Sequence, residues 1–229
     1  MERLSTGVKG LDEMLNGGIP MGHIVVVVGT YGTGKTTLAL HFVYEGLKRG
    51  ENCIYISFDE DEESILQDAE GFGMDMRGYV GKQLEIVRLE AIDVKRSLEK
   101  IENDLSILIE KLNAKRMVVD TISVLESLFD ERERWNALSV LRQIVKRSGI
   151  TAMFTTEADK NNPNSSKYGI IEYIADGVIA LRRIPTGNFK ESIYAVEIVK
   201  MRRSKHSRTP KPYSITPTGM VVHERVDLF

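Results

Sequence analysis

The octapeptide GTYGTGKT, Gly29 to Thr36, limits what this chain can fold into more than any other stretch. It fits the pattern G-x-x-x-x-G-K-[ST], between the apolar run Ile24 to Val28 and a helical pattern from Thr36 to Arg49. That is the strand, loop and helix setting a phosphate-binding loop requires. Ile24 to Val28 is entirely β-branched, as a strand buried on both faces should be. The helical pattern places Leu38, Phe42, Val43 and Leu47 on one side and ends at Gly50. The loop residues suit the chemistry. Glycines let backbone N–H groups wrap around phosphates with no Cβ in the way, and the helix N-terminus adds positive potential. Lys35 is placed to neutralise β- and γ-phosphate charge, and the Thr36 hydroxyl to ligate Mg²⁺. Contact with the phosphates is expected along Thr30, Tyr31, Gly32, Thr33, Gly34, Lys35, Thr36 and Thr37. The rival dinucleotide fingerprint G-x-G-x-x-G fails, because Thr37 stands at its third glycine.

Strand and helix signals continue to alternate after the loop. Cys53 to Phe58, Leu84 to Leu89, Met117 to Val119 and Thr151 to Thr155 read as strands. Glu62 to Gly71, Val94 to Leu112 and about Arg132 to Arg147 read as helices. This alternation predicts an α/β fold with a mostly parallel central sheet covered on both faces. From Gly177 the character changes. Gly177–Arg183, Ser192–Met201, Tyr213–Ile215 and Met220–His223 are β-rich and separated by TGN, a basic stretch and TPTG, which predicts a closing β-meander. A chain of 229 residues suffices for one sizeable core, so one domain over 1–229 is expected. The net charge of −2 gives no global basic field for nucleic acid or an anionic membrane. The lone Cys53 suits a reducing compartment and reads as a small buried hydrophobe. The N-terminus has no apolar signal-peptide core, and the longest apolar run is too short to span a bilayer. A soluble, cytoplasmic protein is the expectation.

A phosphate loop needs an acid on a neighbouring strand. Arg116-Met-Val-Val-Asp120 supplies one, with Asp120 as the expected metal or water ligand. A second acidic stretch, ISFDEDEES from Ile56 to Ser64, holds five consecutive carboxylates. Asp61, Glu62 and Glu63 read as a solvated helix start stabilised by the helix dipole. Asp59 and Glu60 end a strand, where ligands bind in parallel sheets, and neighbouring carboxylates raise each other's pKa toward that of a useful base.

Three blocks in order resemble the KaiC-like branch of the RecA/RadA ATPases and cover nearly the whole chain. They are STGVKGLDEMLNGGIPMGHIVVVVGTYGTGKTT, TTEADKNNPNSSKYGIIEYIADGVIAL and VKMRRSKHSRTPKPYSITPTGMVV. The resemblance implies a RecA-type fold in rings, usually hexamers, with ATP and Mg²⁺ bound between subunits. It implies that Lys200 and Arg202 form a K-x-R pair reaching the neighbour's triphosphate, and that Ser204, His206 and Thr216 make further contacts to that nucleotide. Arg203 stands where the family usually has glycine, and Pro217 where it often has an acid. Asp59 and Glu60 match the family's E-E pair, one of which activates the attacking water; Asp59 stops about one methylene short, which leaves either residue as the base. Glu172 and Tyr173 stand where self-phosphorylating members carry a Ser-Thr pair, so hydrolysis of ATP by water is the implied chemistry. Without the resemblance, Lys200 to Lys211 reads equally as a solvated basic edge or a nucleic-acid stripe. Thr155 and Thr156 match a sensor position for the γ-phosphate, or are strand-end hydroxyls satisfied by backbone.

Recombinases of this superfamily bind DNA through two loops, which should fall here at FDERERW and ADKNNPNSSKYG. Neither offers a basic groove with several stacking rings. A ring-forming regulatory or signalling ATPase acting on a partner protein is therefore the expected function. A recombination or repair accessory that binds DNA under ATP control is the alternative.

Overall fold

The structure is a computed structural model that describes residues 2–185 and 192–226. The expected TGN turn lies outside the described residues. A two-stranded antiparallel ribbon, β1 (Arg3–Leu4) and β2 (Ile19–Pro20), encloses helix α1 (Lys9–Met14). Then follow β3 (Ile24–Gly29), α2 (Lys35–Lys48), β4 (Cys53–Ser57), α3 (Glu62–Gly71), β5 (Leu84–Arg88), α4 (Ala91–Arg96) and α5 (Leu98–Leu112). The chain continues through β6 (Arg116–Asp120), α6 (Ile122–Ser127), α7 (Glu131–Ser148), β7 (Thr151–Glu157) and α8 (Ile171–Ile174). It closes with β8 (Gly177–Pro185), β9 (Ser192–Met201), β10 (Lys211–Thr216) and β11 (Gly219–Val222).

The main sheet has the order β11-β10-β9-β8-β3-β7-β6-β4-β5. From β8 to β5 all neighbours are parallel; β9, β10 and β11 are antiparallel additions at the β8 side. This is the expected α/β architecture with its C-terminal meander. The all-β-branched run explains itself in β3. Val25 and Val27 enter the core under α1 to α3, while Ile24, Val26 and Val28 enter the core under α4 to α8. All five are fully buried, so a strand with two apolar faces sits where two layers of helix meet it.

Two expectations need correction. The helix read over Val94 to Leu112 is two helices, because Ser97 leaves the helical region at φ −149 and ψ 71. The break lets α4 pack on α6 while α5 packs on α7, a turn one straight helix could not make. FDERERW is not a loop. Phe129 is buried, and the rest opens α7 through a capping box in which Asp130 and Glu133 each accept the other's backbone N–H. The segment after Asp120 is instead the short helix α6, whose six residues are too few for a clear periodic signal.

Candidate active site

Register gathers the site. Gly29 of β3 pairs with Glu157 of β7, and Ser57 of β4 with Asp120 of β6, so four strand ends reach one edge of the sheet. The phosphate loop leaves β3 at that edge. Gly32 and Gly34 hold φ values of 72 and 82, the left-handed region that glycine occupies without penalty. Gly34 is also the N-cap of α2, and a Cβ there would lie 2.8 Å from Ile215 Cδ1. Inside the loop, the Thr33 hydroxyl and the Lys35 ammonium both donate to the Thr30 carbonyl, at 2.7 and 3.0 Å. The buried Tyr213 hydroxyl of β10 donates to the Thr33 carbonyl at 2.6 Å, tying the meander to the loop. Thr33 and Thr37 are buried, which leaves their backbone N–H groups for phosphate; Tyr31 is exposed.

Lys35, Thr36, Ser57, Asp59, Glu60, Asp120, Thr121 and Glu157 line one cleft of about 150 Å³. The structure thus brings the loop's lysine and threonine together with three of the acids read from the sequence. Asp120 is held from both sides: Tyr55 donates to Oδ2 at 2.7 Å and Thr155 donates to Oδ1. Ser57 Oγ accepts the Glu60 N–H at 2.9 Å and shapes the turn carrying Asp59 and Glu60. Burial raises the Asp59 pKa, helped by Asp120 and Glu157; burial also raises Glu60, helped by Asp68, Asp120 and Asp59. Burial lowers Lys35, against the opposing pull of Asp120 and Glu157.

Thr155 and Thr156 are fully buried. Their hydroxyls meet side chains rather than backbone: Thr155 bonds Asp120, and Thr156 bonds Ser123 of α6 at 3.0 Å. Sequence reasoning also missed Tyr55 and Glu157. Glu157 carries a signal, since it follows a strand neighbouring the loop strand. Tyr55 sits inside an apolar run, and nothing local marks it.

The Thr36 hydroxyl and the Asp120 carboxylate are hard oxygen donors on one cleft, which fits Mg²⁺. Among the described residues no three His, Cys, Asp or Glu side chains form a self-contained metal site, so phosphate oxygens and water would complete the shell.

A sequence profile of the ATPase family KaiC matches residues 4–227. The chain belongs to the KaiC ATPase family. It is 31% identical over 241 residues to the circadian clock oscillator protein KaiC of Parasynechococcus marenigrum (strain WH8102), covering 97% of this chain and 45% of that protein. It is 29% identical to the circadian clock protein KaiC3 of Synechocystis sp. (strain ATCC 27184 / PCC 6803 / Kazusa), covering 97% and 46%. The chain spans about half the length of the curated relatives it matches. A crystal structure of a KaiC-like protein from Pyrococcus horikoshii OT3 superposes with a TM-score of 0.85 at 32% identity, covering 97% of this chain and 99% of that one. The fold is accordingly the RecA-type fold of the KaiC ATPases.

The remaining family-implied residues divide between the two edges of the sheet. Gly177 pairs with Val25 and with Met201, which puts Lys200 and Arg202 beside the start of β3. Gly29 lies four residues further on, about 13 Å at the rise of a strand, so these two cations do not meet their own chain's phosphate loop. They rest on α8: Lys200 Nζ donates to the Glu172 and Ala175 carbonyls at 2.9 and 2.8 Å, and Arg202 donates to the Tyr173 carbonyl at 3.3 Å. Ser204 stays on that side, accepting from Arg3 at 2.8 Å, and His206 Nδ1 lies 2.9 Å from the Ser207 carbonyl. Thr216 is elsewhere. It ends β10 on the phosphate-loop side, where its hydroxyl donates to the Gly219 carbonyl at 3.0 Å. Arg203 holds φ 56, the left-handed conformation that the family's usual glycine would adopt freely.

Proposed function

We propose that this chain is a Mg²⁺-dependent ATP hydrolase that works as a homo-oligomeric, hexameric ring with nucleotide at the subunit interfaces, acting as one domain in the cytoplasm. The observation that carries the reading is the shared cleft: Lys35 and Thr36 open onto the same space as Asp59, Glu60 and Asp120. Backbone N–H groups from Thr30 to Thr37 would bind the phosphates, with Lys35 turning from the Thr30 carbonyl to a phosphate oxygen. Thr36 and Asp120 would hold magnesium, which when bound supplies positive charge at the phosphate oxygens. Asp59 or Glu60 would orient the attacking water and take its proton; their raised pKa values suit a base better than an ordinary surface carboxylate.

Lys200 and Arg202, with Ser204 and His206, lie too far from their own loop and would serve a neighbour's nucleotide instead. Thr216 stands against its own loop edge and would contribute there. No helix among the described residues is long and apolar enough to cross a membrane. Phosphate release by the purified chain, abolished in Lys35→Ala and strongly reduced in Glu60→Gln or Asp59→Asn, tests the chemistry. Light scattering with and without ATP and Mg²⁺ tests the ring. Hydrolysis equal to wild type in Lys35→Ala sinks the reading.

A second reading, binding of single-stranded DNA, draws on one observation. Trp135 lies 5.9 Å from Tyr173, and Arg134 and Lys167 sit over the Tyr168 ring, so rings and cations from both candidate DNA loops and from α8 come together. An ATP-dependent gel shift with single-stranded DNA decides it.

A further inference from the structure

Glu126 of α6 is 1% exposed, and neither of its carboxylate oxygens has a hydrogen-bond partner. An isolated buried carboxylate is too costly to persist, so this packing calls for the neutral acid. The charged groups that act on it are Glu172 of α8 and Arg134 of α7. Glu172 faces it from α8, with its own carboxylate taken by Ser165 and Ser166. Arg134 of α7 bonds the Glu126 backbone carbonyl at 2.7 Å and lays its guanidinium over Tyr168, 4.0 Å from the ring centre. Lys95 of α4 is engaged with the Leu128 carbonyl and Glu133, and Glu157 of β7 is tied to α6 through Ser123. None supplies a bond to the carboxyl group. Burial, with Glu172 adding, pushes Glu126 up to about 7.

Helix α8 packs on α7, whose Arg134 bonds the Glu126 carbonyl and whose Trp135 meets Tyr173, and α8 supplies the carbonyls on which Lys200 and Arg202 rest. A charge on the buried, unpartnered Glu126 would be repelled by the half-buried Glu172 and would push α8 away from the corner of α6 and α7. We propose that Glu126 is a positioning residue: as the neutral acid it seats α8 against that corner, and its ionisation loosens α8 and frees Lys200 and Arg202 for a neighbouring subunit. The consequence for the neighbour rests on the function proposed above; the movement of α8 does not.

Trp135 is the chain's single tryptophan and packs against Tyr173 of α8, so its emission reports on α8 with no ligand added. Emission of the full chain, titrated from about pH 5.5 to about 8.5, should show a transition centred about pH 7 in the wild type. Glu126→Gln keeps the shape but cannot ionise, and should show none; Glu126→Met is a second non-ionising variant with the same expectation. Glu172→Gln removes the repelling charge and should move the transition to lower pH. In the same buffers, ATP-dependent assembly by light scattering should rise across the transition in the wild type and stay at its low-pH level in Glu126→Gln. A flat wild-type titration, or a transition unchanged in Glu126→Gln, overturns the proposal. If Glu126→Gln abolishes the transition while Lys35→Ala hydrolyses ATP like wild type, the switch stands and the reading of the cleft falls.

Discussion

Replacing Tyr55 by phenylalanine removes a single oxygen from the site and tests what holds Asp120. The Tyr55 side chain is buried, and its hydroxyl donates to Asp120 Oδ2 at 2.7 Å while Thr155 occupies Oδ1. A hydrogen bond to an ionised acceptor contributes about 1.5–3 kcal/mol, and phenylalanine fills the same volume without a cavity. Asp120 lines the cleft and can take a water in place of the phenol, which sets the expected loss near the lower end, about 1.5 kcal/mol. At about 2–4 °C per kcal/mol for a chain of this size, the nucleotide-free melting temperature should fall by about 3–6 °C. Freed on one side, Asp120 also loses its fixed orientation toward Thr36. Loss of such an outer partner weakens metal sites about 10–100-fold, so the Mg²⁺ concentration giving half-maximal protection of the ATP-bound protein against melting should rise at least about tenfold. The same shift should appear in the Mg²⁺ dependence of hydrolysis. Unchanged melting together with an unchanged Mg²⁺ midpoint would refute the idea that the phenol holds the carboxylate.

Gly34→Ala should destabilise the fold by about 1–2 kcal/mol for the left-handed backbone alone, with more from the approach to Ile215 Cδ1. Nucleotide binding should weaken with it, and Gly34→Ala combined with Ile215→Val should recover the steric part only, read by urea melts of the four-protein cycle. The choice between Asp59 and Glu60 shows in the pH–rate profile. A base must be deprotonated, so hydrolysis should fall as pH drops through its raised pKa. Glu157 is among the charges raising Asp59 and Asp68 among those raising Glu60. Glu157→Gln should therefore move the acid limb to lower pH if Asp59 is the base, and Asp68→Asn should do so if Glu60 is.

The phosphate loop was legible in the sequence because its chemistry is local: two glycines, a lysine and a hydroxyl must stand at set spacings between a strand and a helix. Ile24 to Val28 announced a doubly buried strand for a similar reason, since five β-branched residues leave no polar face. Helix α3 ran from Glu62 to Gly71 as its pattern predicted, with Asp61 accepting the Ser64 N–H as its cap. The break at Ser97 was harder, since it depends on which helices α4 and α5 lie against, a question local propensity does not answer. The opening of α7 did carry a local signal, the D-x-x-E spacing of Asp130 and Glu133, which the reading as a loop passed over.

What only the tertiary structure decided is who meets whom across the sheet. The order β7-β6-β4 sets Asp120 beside Ser57 and brings Tyr55 to Asp120 across a gap of 65 residues. The antiparallel return of β9 carries Lys200 and Arg202 to the edge opposite their own phosphate loop, while Thr216 returns to the loop side on β10. Strand order and direction follow from long-range pairing and the burial of two faces at once, and those energies belong to the assembled sheet. The sequence by itself determined the loop, its helix and the alternation of layers. The folded chain decided which carboxylates share the cleft, and which cations lie away from their own phosphate loop.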